Sequence, residues 1–344
     1  MERIGSVTVY FDEDADLSIL KDKIIGIIGY GNQGQAWALN LRDSGLNVIV
    51  GNIKDKYWDI AVKDGFKVMP ISDAVKKADV ICLLIPDEIM PEVYKSEIES
   101  YLTAGKTLCF ASGYNITYGF INPPDYVNVI LVAPRMIGKG VRELYKEGRG
   151  APALIAVRDK SKDLELKIAL ALAKGIGFTR VGAFESSFEE ETICDLISEQ
   201  VMGAITLAAL KMSFETAIEA GVRPEIEVLE LYVSGEVFEM WKAIFEMGYL
   251  EQAKLHSTTS QYGTLTRQEI FSSSEIKDKI KCIVNEIVTG KFAKEWKLEQ
   301  QATYPVFSKL KELTAKHPIF KAEERVRELL KKRGYIKKLR VMWV

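Results

Sequence analysis

Three carboxylates stand four residues apart in the segment ETICDLISEQ, which covers residues 191 to 200. They belong to Glu191, Asp195 and Glu199, and on a helix such spacing places all three along one face. Like charges so placed repel each other by roughly a few tenths of a kcal/mol per pair on an exposed helix, and by more on a covered one. This acidic stripe therefore implies a cation that lies close to it.

Two kinds of cation fit the Asp195 and Glu199 part of the acidic stripe. A lysine or arginine of another helix would form an ion pair, whereas a hard metal ion would be bound by the carboxylate oxygens. Apolar neighbours favour a covered site, and hence the metal. These neighbours are Ile193, Leu196, Ile197, Val201 and Met202. With two histidines and four cysteines in no C-x-x-C pair, the chain favours Mg²⁺ or Mn²⁺ over zinc.

A glycine-rich hexapeptide, GYGNQG, has the composition of a dinucleotide phosphate site. It follows the apolar run KIIGII and opens the helix-forming run QAWALNLRDSG, the context that this motif requires. Gly29 would allow the tight turn, Gly31 the approach of the pyrophosphate, and Gly34 close helix packing. The predicted cofactor-binding residues of this turn are Gly29, Tyr30, Gly31, Asn32, Gln33 and Gly34.

The residues after the second predicted strand bear on the choice between NADP and NAD. An NAD site usually has an acid at the end of that strand to bond the ribose hydroxyls. Here no acid stands at the strand end, and Lys54 and Lys56 offer cations for a 2′-phosphate, which favours NADP. The alternatives are a solvated loop for the two lysines, and NAD bound with the help of Asp55.

The elements that would position these residues change in character along the chain. Between residues 23 and 183, short β-branched apolar runs alternate with helical stretches, which predicts a parallel sheet covered on both faces. The predicted strands are KIIGIIG, LNVIVG, ADVICLLIP, KTLCFAS, VNVILVAP and ALIAV. We predict an α/β fold, with a Rossmann-like, doubly wound sheet in an NADP-binding domain at residues 1–183.

Beyond about residue 184 the strand pattern ends and long helical stretches follow. Gly221 and Pro224 mark the end of one helix and the start of the next. Apolar residues on nearly every side of 201–210 predict a helix covered from several directions, and so a homo-oligomer. We predict an all-helical domain at 184–330 for metal, substrate and oligomer contacts, and a basic C-terminal tail at 331–344.

The composition of the chain limits the classes of partner that we expect it to bind. The chain has 344 residues and a net charge of -2, so no overall basic field would attract nucleic acid or an anionic membrane. No run approaches about 18 apolar residues, and the first residues lack the basic and apolar regions of a signal peptide. We therefore expect a small-molecule substrate, no nucleic acid, no membrane and a cytoplasmic location.

Seven segments follow one another in the order and spacing of one enzyme family. They are GYGNQGQAWALNLRDSG, DGFKVMPISDAVKKADVICLLIPDE, FASGYNITYG, VAPRMIGKGVR, CDLISEQ, EAGVRPEIEVLE and HSTTSQYG. From about residue 20 to 330 the chain resembles the ketol-acid reductoisomerases in their short, single-knot (class I) form. The resemblance implies an NADP domain, a knotted helical domain, and a homodimer or a larger assembly of dimers.

In this family two Mg²⁺ ions bind 2-acetolactate, an alkyl group migrates to the neighbouring carbonyl, and NADPH reduces the resulting 2-keto acid. The product, 2,3-dihydroxy-isovalerate, leads to branched-chain amino acids. The resemblance implies that Asp195 is the bridging metal ligand and Glu199 the second ligand on its helix. It also implies that Glu230 of the partner subunit binds the other metal and that Ser257 contacts the substrate carboxylate.

Several motif positions depart from the family pattern. Ser112 stands at a family histidine, Arg135 at a family lysine, and Ser234 at the second glutamate of the later helix. The other departures are Met136 and Ile137 for glycine-proline, Lys139 for a histidine, and Gln261 for a glutamate. We place Ser112 and Arg135 with the three acids as catalytic positions. Ser234 removes one ligand, so either one or two Mg²⁺ ions are expected.

Three functions are compatible with this pattern, and we rank them in order. The first is the family reaction, because holding Asp195, Glu199 and Glu230 on covered faces is costly without a ligand. The second is an NAD(P)H-dependent reductase of another 2-keto acid, since Ser112 and Ser234 weaken the expected site. The third is a non-catalytic nucleotide-binding paralogue.

Overall fold

The computed structural model describes residues 1–159 and 163–336. The chain divides into two compact units, Met1–Asp195 and Leu196–Val344. The domain boundaries expected at residues 183 and 330 stay a prediction. The last helix continues to Lys332, inside the expected basic tail, and residues 337–344 of that tail lie outside the described residues.

The first unit is built on a sheet of ten strands within the described residues. The strands are β1 (Glu2–Ile4), β2 (Val7–Tyr10), β3 (Ile24–Ile28), β4 (Asn47–Gly51), β5 (Lys67–Met69), β6 (Val80–Leu83), β7 (Thr107–Phe110), β8 (Asn128–Pro134), β9 (Ala153–Val157) and β10 (Ala183–Glu185). Their spatial order is β1-β2-β10-β9-β8-β7-β6-β3-β4-β5. Six of them coincide with the predicted apolar runs, and the Rossmann-like α/β class is confirmed.

The sheet is mixed at one edge. From β5 through β4, β3, β6 and β7 to β8 all neighbours are parallel, whereas β9 runs antiparallel to β8 and β2 runs antiparallel to β10. The chain between β8 and β9 leaves and re-enters at the same end of the sheet, where the Arg135 N–H donates to the Pro152 carbonyl at 2.9 Å. A connection that returns to the same end reverses the next strand.

Helices cover both faces of the sheet. Alternate residues of one strand enter opposite cores: Ile25 and Ile27 pack on one face and Ile28 on the other. Trp37 of the first helix belongs to the first core, and Val75 of the third helix to the second. The helices are α1 (Asn32–Asp43), α2 (Lys56–Lys63), α3 (Ile71–Lys77), α4 (Met90–Val93), α5 (Tyr114–Thr117), α6 (Gly138–Lys146), α7 (Asp163–Ile176) and α8 (Phe188–Ile197).

The second unit is helical throughout its described part, as predicted. Its helices are α9 (Ala204–Glu219), α10 (Pro224–Val228), α11 (Glu236–Met247), α12 (Thr258–Phe271), α13 (Ser274–Val288), α14 (Lys291–Gln301), α15 (Pro305–Ala315) and α16 (Pro318–Lys332). A small core joins α9, α10 and α16 through Phe214, Val228 and Ile319. Gly221, with φ of +90°, follows α9, and Pro224 opens α10.

Much apolar surface of this unit is exposed in the single chain. The helical stretch Phe188–Glu219 is long and apolar enough to cross a membrane by length and composition alone. One such helix is weak evidence for a membrane span, because apolar helices of other proteins pass the same test. Leu207 is 69% exposed and Phe245 is 85% exposed. Burying such side chains in a protein interface would stabilise the second unit.

Candidate functional site

The glycine-rich turn joins β3 to α1, and neighbouring protein atoms pack closely against two of its glycines. Gly29 has φ of +91°, and a Cβ there would lie 2.6 Å from the Ile85 side chain. A Cβ on Gly34 would lie 2.0 Å from the Gly29 carbonyl oxygen, whereas a Cβ on Gly31 would meet nothing within 4 Å. Two glycines are therefore required by the fold, and Gly31 opens onto free space where a ligand can approach the backbone.

The first turn of α1 offers backbone N–H groups to an anion. Gly31 is its N-cap, and no side chain caps it. Uncapped N–H groups at a helix N-terminus bind phosphate well. The side chains of Asn32 and Gln33 instead hold the start of α6: Lys139 N–H donates to Asn32 Oδ1 at 3.0 Å, and Gln33 Nε2 donates to the Met136 carbonyl at 2.9 Å.

A cavity of about 610 Å³ opens from this turn, entirely within the first unit. Its lining includes Gly31 of the turn, Asn52 and Asp55 after β4, and Asp87 and Ser112 in the loops after β6 and β7. The carboxyl ends of parallel strands meet at this edge, which is where doubly wound sheets bind dinucleotides. The cavity volume is in the range of cofactor sites, so the residues present fit a dinucleotide.

Asp55 is anchored as a helix cap at the ribose side of the cavity. Its Oδ1 accepts from the backbone N–H of Tyr57 at 2.9 Å and from Asn52 Nδ2 at 2.8 Å. The Asn52 amide in turn accepts from the Tyr30 backbone N–H at 3.3 Å. Lys54 lines a depression beside Asp55. The geometry gives Asp55 a structural role as the N-cap of α2, of which Lys56 is the first residue; the contact of Lys54 and Lys56 with a 2′-phosphate stays a prediction.

A half-buried acid that we did not predict, Asp87, lines the same cavity. Asn115 Nδ2 donates to its Oδ1 at 3.2 Å, and the Ser112 hydroxyl also donates to it. Burial raises the pKa of Asp87 to about 6, the Ser112 hydrogen bond opposes this rise, and the negative charge of Glu191 adds to it. Ser112 thus donates to a carboxyl group whose pKa is raised to about 6.

Replacing Asp87 by Asn should stabilise the protein at neutral pH. The folded-state pKa of about 6 exceeds the ordinary 3.8. Between these two pH values the folded state therefore keeps a proton that the unfolded state has already lost. The free energy of unfolding therefore falls as the pH rises from about 4 to 6, and it stays lowered at higher pH. We expect Asp87→Asn to raise the free energy of unfolding by about 1–3 kcal/mol at about pH 7.5.

The measurement is urea unfolding at several pH values between about 4 and 8. The gain from Asp87→Asn should vanish near the acid end, where the wild-type carboxyl is protonated in both states. Asp73→Asn, at an acid that is 50% exposed and pairs with Lys76, is the control and should change stability little. An equal gain at every pH would contradict the titration of Asp87.

The guanidinium of Arg135 lies beside the acidic stripe. Its Nη2 lies 2.7 Å from Glu191 Oε1, and its Nη1 lies 3.1 Å from Asp195 Oδ1. The second oxygen of Glu191 accepts from the Gly113 backbone N–H at 2.7 Å. Burial raises the pKa of Glu191, while Gly113 and Arg135 lower it. Glu191 and Asp195 are therefore both paired with Arg135, and the choice between an ion pair and a metal ion at Asp195 and Glu199 stays a prediction.

Exposure increases along the stripe. The Glu191 side chain is 1% exposed and that of Asp195 is 43% exposed, and Glu199 is exposed in the single chain. Glu199 stands in a π-helical turn, Ser198–Gly203, so regular four-residue spacing ends there. Turns of this kind occur often at functional sites.

The remaining predicted positions belong to the second unit. Glu230 also stands in a π-helical turn, Leu229–Val233, and Ser234 follows it. Ser257 caps α12 by accepting from the Ser260 backbone N–H at 3.2 Å, a structural use of its hydroxyl. Across the part of the chain that the structure describes, no three acidic, histidine or cysteine side chains converge on one metal position. The carboxylates Asp195, Glu199 and Glu230 suit Mg²⁺ by donor chemistry.

Comparison with known proteins covers nearly the whole chain. Residues 19–182 match the family model "Acetohydroxy acid isomeroreductase, NADPH-binding domain", and residues 188–332 match "Ketol-acid reductoisomerase, C-terminal domain". A protein of Saccharolobus solfataricus named "Putative ketol-acid reductoisomerase 3" is 48% identical over 93% of this chain and 97% of its own length. The "Ketol-acid reductoisomerase (NADP(+))" of Methanocaldococcus jannaschii is 46% identical over 94% and 98%.

A solved structure agrees with these matches. The NADH-preferring ketol-acid reductoisomerase from an uncultured archaeon superposes with a TM-score of 0.88 and 36% identity. It covers 94% of this chain and 99% of its own. The sequence and fold comparisons therefore indicate the same family.

Proposed function

The chain belongs to the ketol-acid reductoisomerase family, and we propose that it catalyses the family reaction. In that reaction an alkyl group of 2-acetolactate migrates in a Mg²⁺-dependent step, and NADPH then reduces the product to 2,3-dihydroxy-isovalerate for branched-chain amino-acid biosynthesis. The observation that carries the proposal is the glycine-rich turn. It opens onto a cavity that Asp87 and Ser112 also line.

The chain's own groups would divide the work as follows. Backbone N–H groups at the start of α1 would bind the pyrophosphate, and Gly31 would let it approach. Asp195 and Glu199 of one subunit, together with Glu230 of the partner subunit, would hold Mg²⁺. When bound, Mg²⁺ polarises the substrate carbonyl and stabilises the alkoxide that forms.

The test is turnover by the purified protein. 2-Acetolactate, NADPH and Mg²⁺ are mixed with it, NADPH absorbance is followed, and the product is identified by NMR. Formation of 2,3-dihydroxy-isovalerate only with Mg²⁺ supports the proposal. Absence of turnover at high Mg²⁺ would reject it, and reduction of 3-hydroxy-2-oxo acids without rearrangement would favour the reductase alternative.

Removing Lys54 and Lys56 together should weaken NADPH binding more than NADH binding. A 2′-phosphate bound by lysine forms a charge-assisted contact that NADH lacks. We expect Lys54→Ala/Lys56→Ala to raise KM for NADPH by about tenfold, while KM for NADH changes by less than about twofold. Lys63→Ala, at an exposed lysine at the end of α2, is the matched control. Equal losses with both cofactors would contradict this role.

We further propose that the protein is a homodimer or a larger homo-oligomer in the cytoplasm. The exposed apolar side chains of the second unit support an interface, with Leu207 and Phe245 among them. Glu230 of the partner subunit would then complete the metal site. The basis for this step is the family resemblance together with that exposed surface.

A further inference from the structure

Arg135 connects the two residues of the acidic stripe that lie in the first unit, Glu191 and Asp195. It follows β8 directly, and its guanidinium bonds Glu191 and Asp195 through two different nitrogens, at 2.7 and 3.1 Å. The guanidinium fork has a rigid planar geometry that can engage two acceptors at once. One side chain thus holds both carboxylates.

Glu191 anchors Arg135 in this position. The Glu191 side chain is 1% exposed and its other oxygen is bonded by the Gly113 backbone N–H. A buried carboxylate that loses its counter-charge costs several kcal/mol. The pair between Arg135 and Glu191 therefore persists, and it keeps the second guanidinium nitrogen beside Asp195.

Asp195 is the more exposed partner, at 43%. A divalent ion bound to Asp195 has to displace the guanidinium from Oδ1 or share the carboxylate with a fixed positive charge. Both alternatives weaken metal binding. Lysine, which the family has at this position, is shorter and carries its charge on one atom. It lacks the rigid two-nitrogen fork with which Arg135 engages both carboxylates.

We propose that Arg135 is a positioning residue that pairs with Asp195 and thereby lowers the divalent-metal affinity of the Asp195 site. This inference rests on the proposed function. The metal requirement of this protein is then set by competition between the guanidinium and the ion. Restoring the shorter cation at position 135 releases Asp195 and increases metal affinity.

The test is a Mn²⁺ titration of the full-length protein, without substrate or NADPH, with free Mn²⁺ measured by electron paramagnetic resonance. We expect Arg135→Lys to bind Mn²⁺ about tenfold more tightly than the wild type. Adding Asp195→Asn to that variant should remove the gain. Arg149→Lys is the matched control, because Arg149 pairs with Glu147 on the surface at 3.2 Å, and it should leave Mn²⁺ affinity unchanged.

A second variant covers the case in which Arg135→Lys does not fold. Arg135→Gln/Glu191→Gln neutralises both partners of the buried pair, which a fold tolerates better than one unpaired charge. It should also bind Mn²⁺ more tightly than the wild type. Unchanged or weaker affinity in the folded variants, or no Mn²⁺ binding by any of them, overturns the inference. Absence of turnover combined with tighter Mn²⁺ binding by Arg135→Lys would reject the proposed reaction while supporting this role of Arg135.

Discussion

Asp195→Asn should lower kcat for 2-acetolactate by about a thousandfold, or about 4 kcal/mol of transition-state stabilisation. The substitution removes the charge that a hard cation needs but retains an oxygen that can accept from Arg135 Nη1, now 3.1 Å from Oδ1. The fold should therefore survive. A loss of this size is expected because Asp195 is the proposed bridging ligand, on which both metal positions depend.

The measurement is steady-state turnover over a range of Mg²⁺ concentrations, accompanied by thermal unfolding. Glu189→Gln is the matched control, since Glu189 is an exposed acid on the same helix, and it should keep nearly full activity. If Asp195→Asn retained more than about a tenth of the wild-type kcat, the assignment of Asp195 as bridging ligand would be rejected. Recovery at high Mg²⁺ would indicate a weakened metal site rather than a lost one.

The regular part of the fold could be predicted from the sequence because its strands are buried on both faces. Strand β3 and its parallel neighbours are continuous apolar runs, and such runs have few alternatives. The strands that were missed are three or four residues long and carry polar residues, as in β1 (Glu2–Ile4) and β5 (Lys67–Met69). Their pairing depends on the neighbouring strand, which local sequence does not encode.

The candidate site also has features that the local sequence predicts and contacts that it does not. Gly29 and Gly34 are required by local backbone geometry, so the motif predicted the turn. The contact of Arg135 with Glu191 joins residues 56 positions apart, and no local pattern specifies it. Asp87 offered one signal that was overlooked: an acid in the short loop after a buried parallel strand lies near the edge where ligands bind. Its burial could be known only from the folded chain.

Gly34→Ala and Gly31→Ala should separate the structural from the binding role of the glycine-rich turn. A Cβ on Gly34 would lie 2.0 Å from the Gly29 carbonyl oxygen, so β3 and α1 would have to move apart. We expect Gly34→Ala to lower the free energy of unfolding by roughly 3 kcal/mol and to abolish detectable NADPH binding. Urea unfolding and calorimetric titration with NADPH measure the two effects.

Gly31→Ala is the matched variant, because the same added methyl group meets no protein atom within 4 Å and the φ of Gly31, -74°, suits alanine. Its methyl group would instead occupy the space through which a pyrophosphate approaches the backbone. Stability should stay within about 0.5 kcal/mol of the wild type, while NADPH affinity falls by about tenfold or more. If Gly31→Ala bound NADPH normally, the cavity above this turn would not be the phosphate site. If it lost stability as Gly34→Ala does, the open space at Gly31 would not exist in the folded protein.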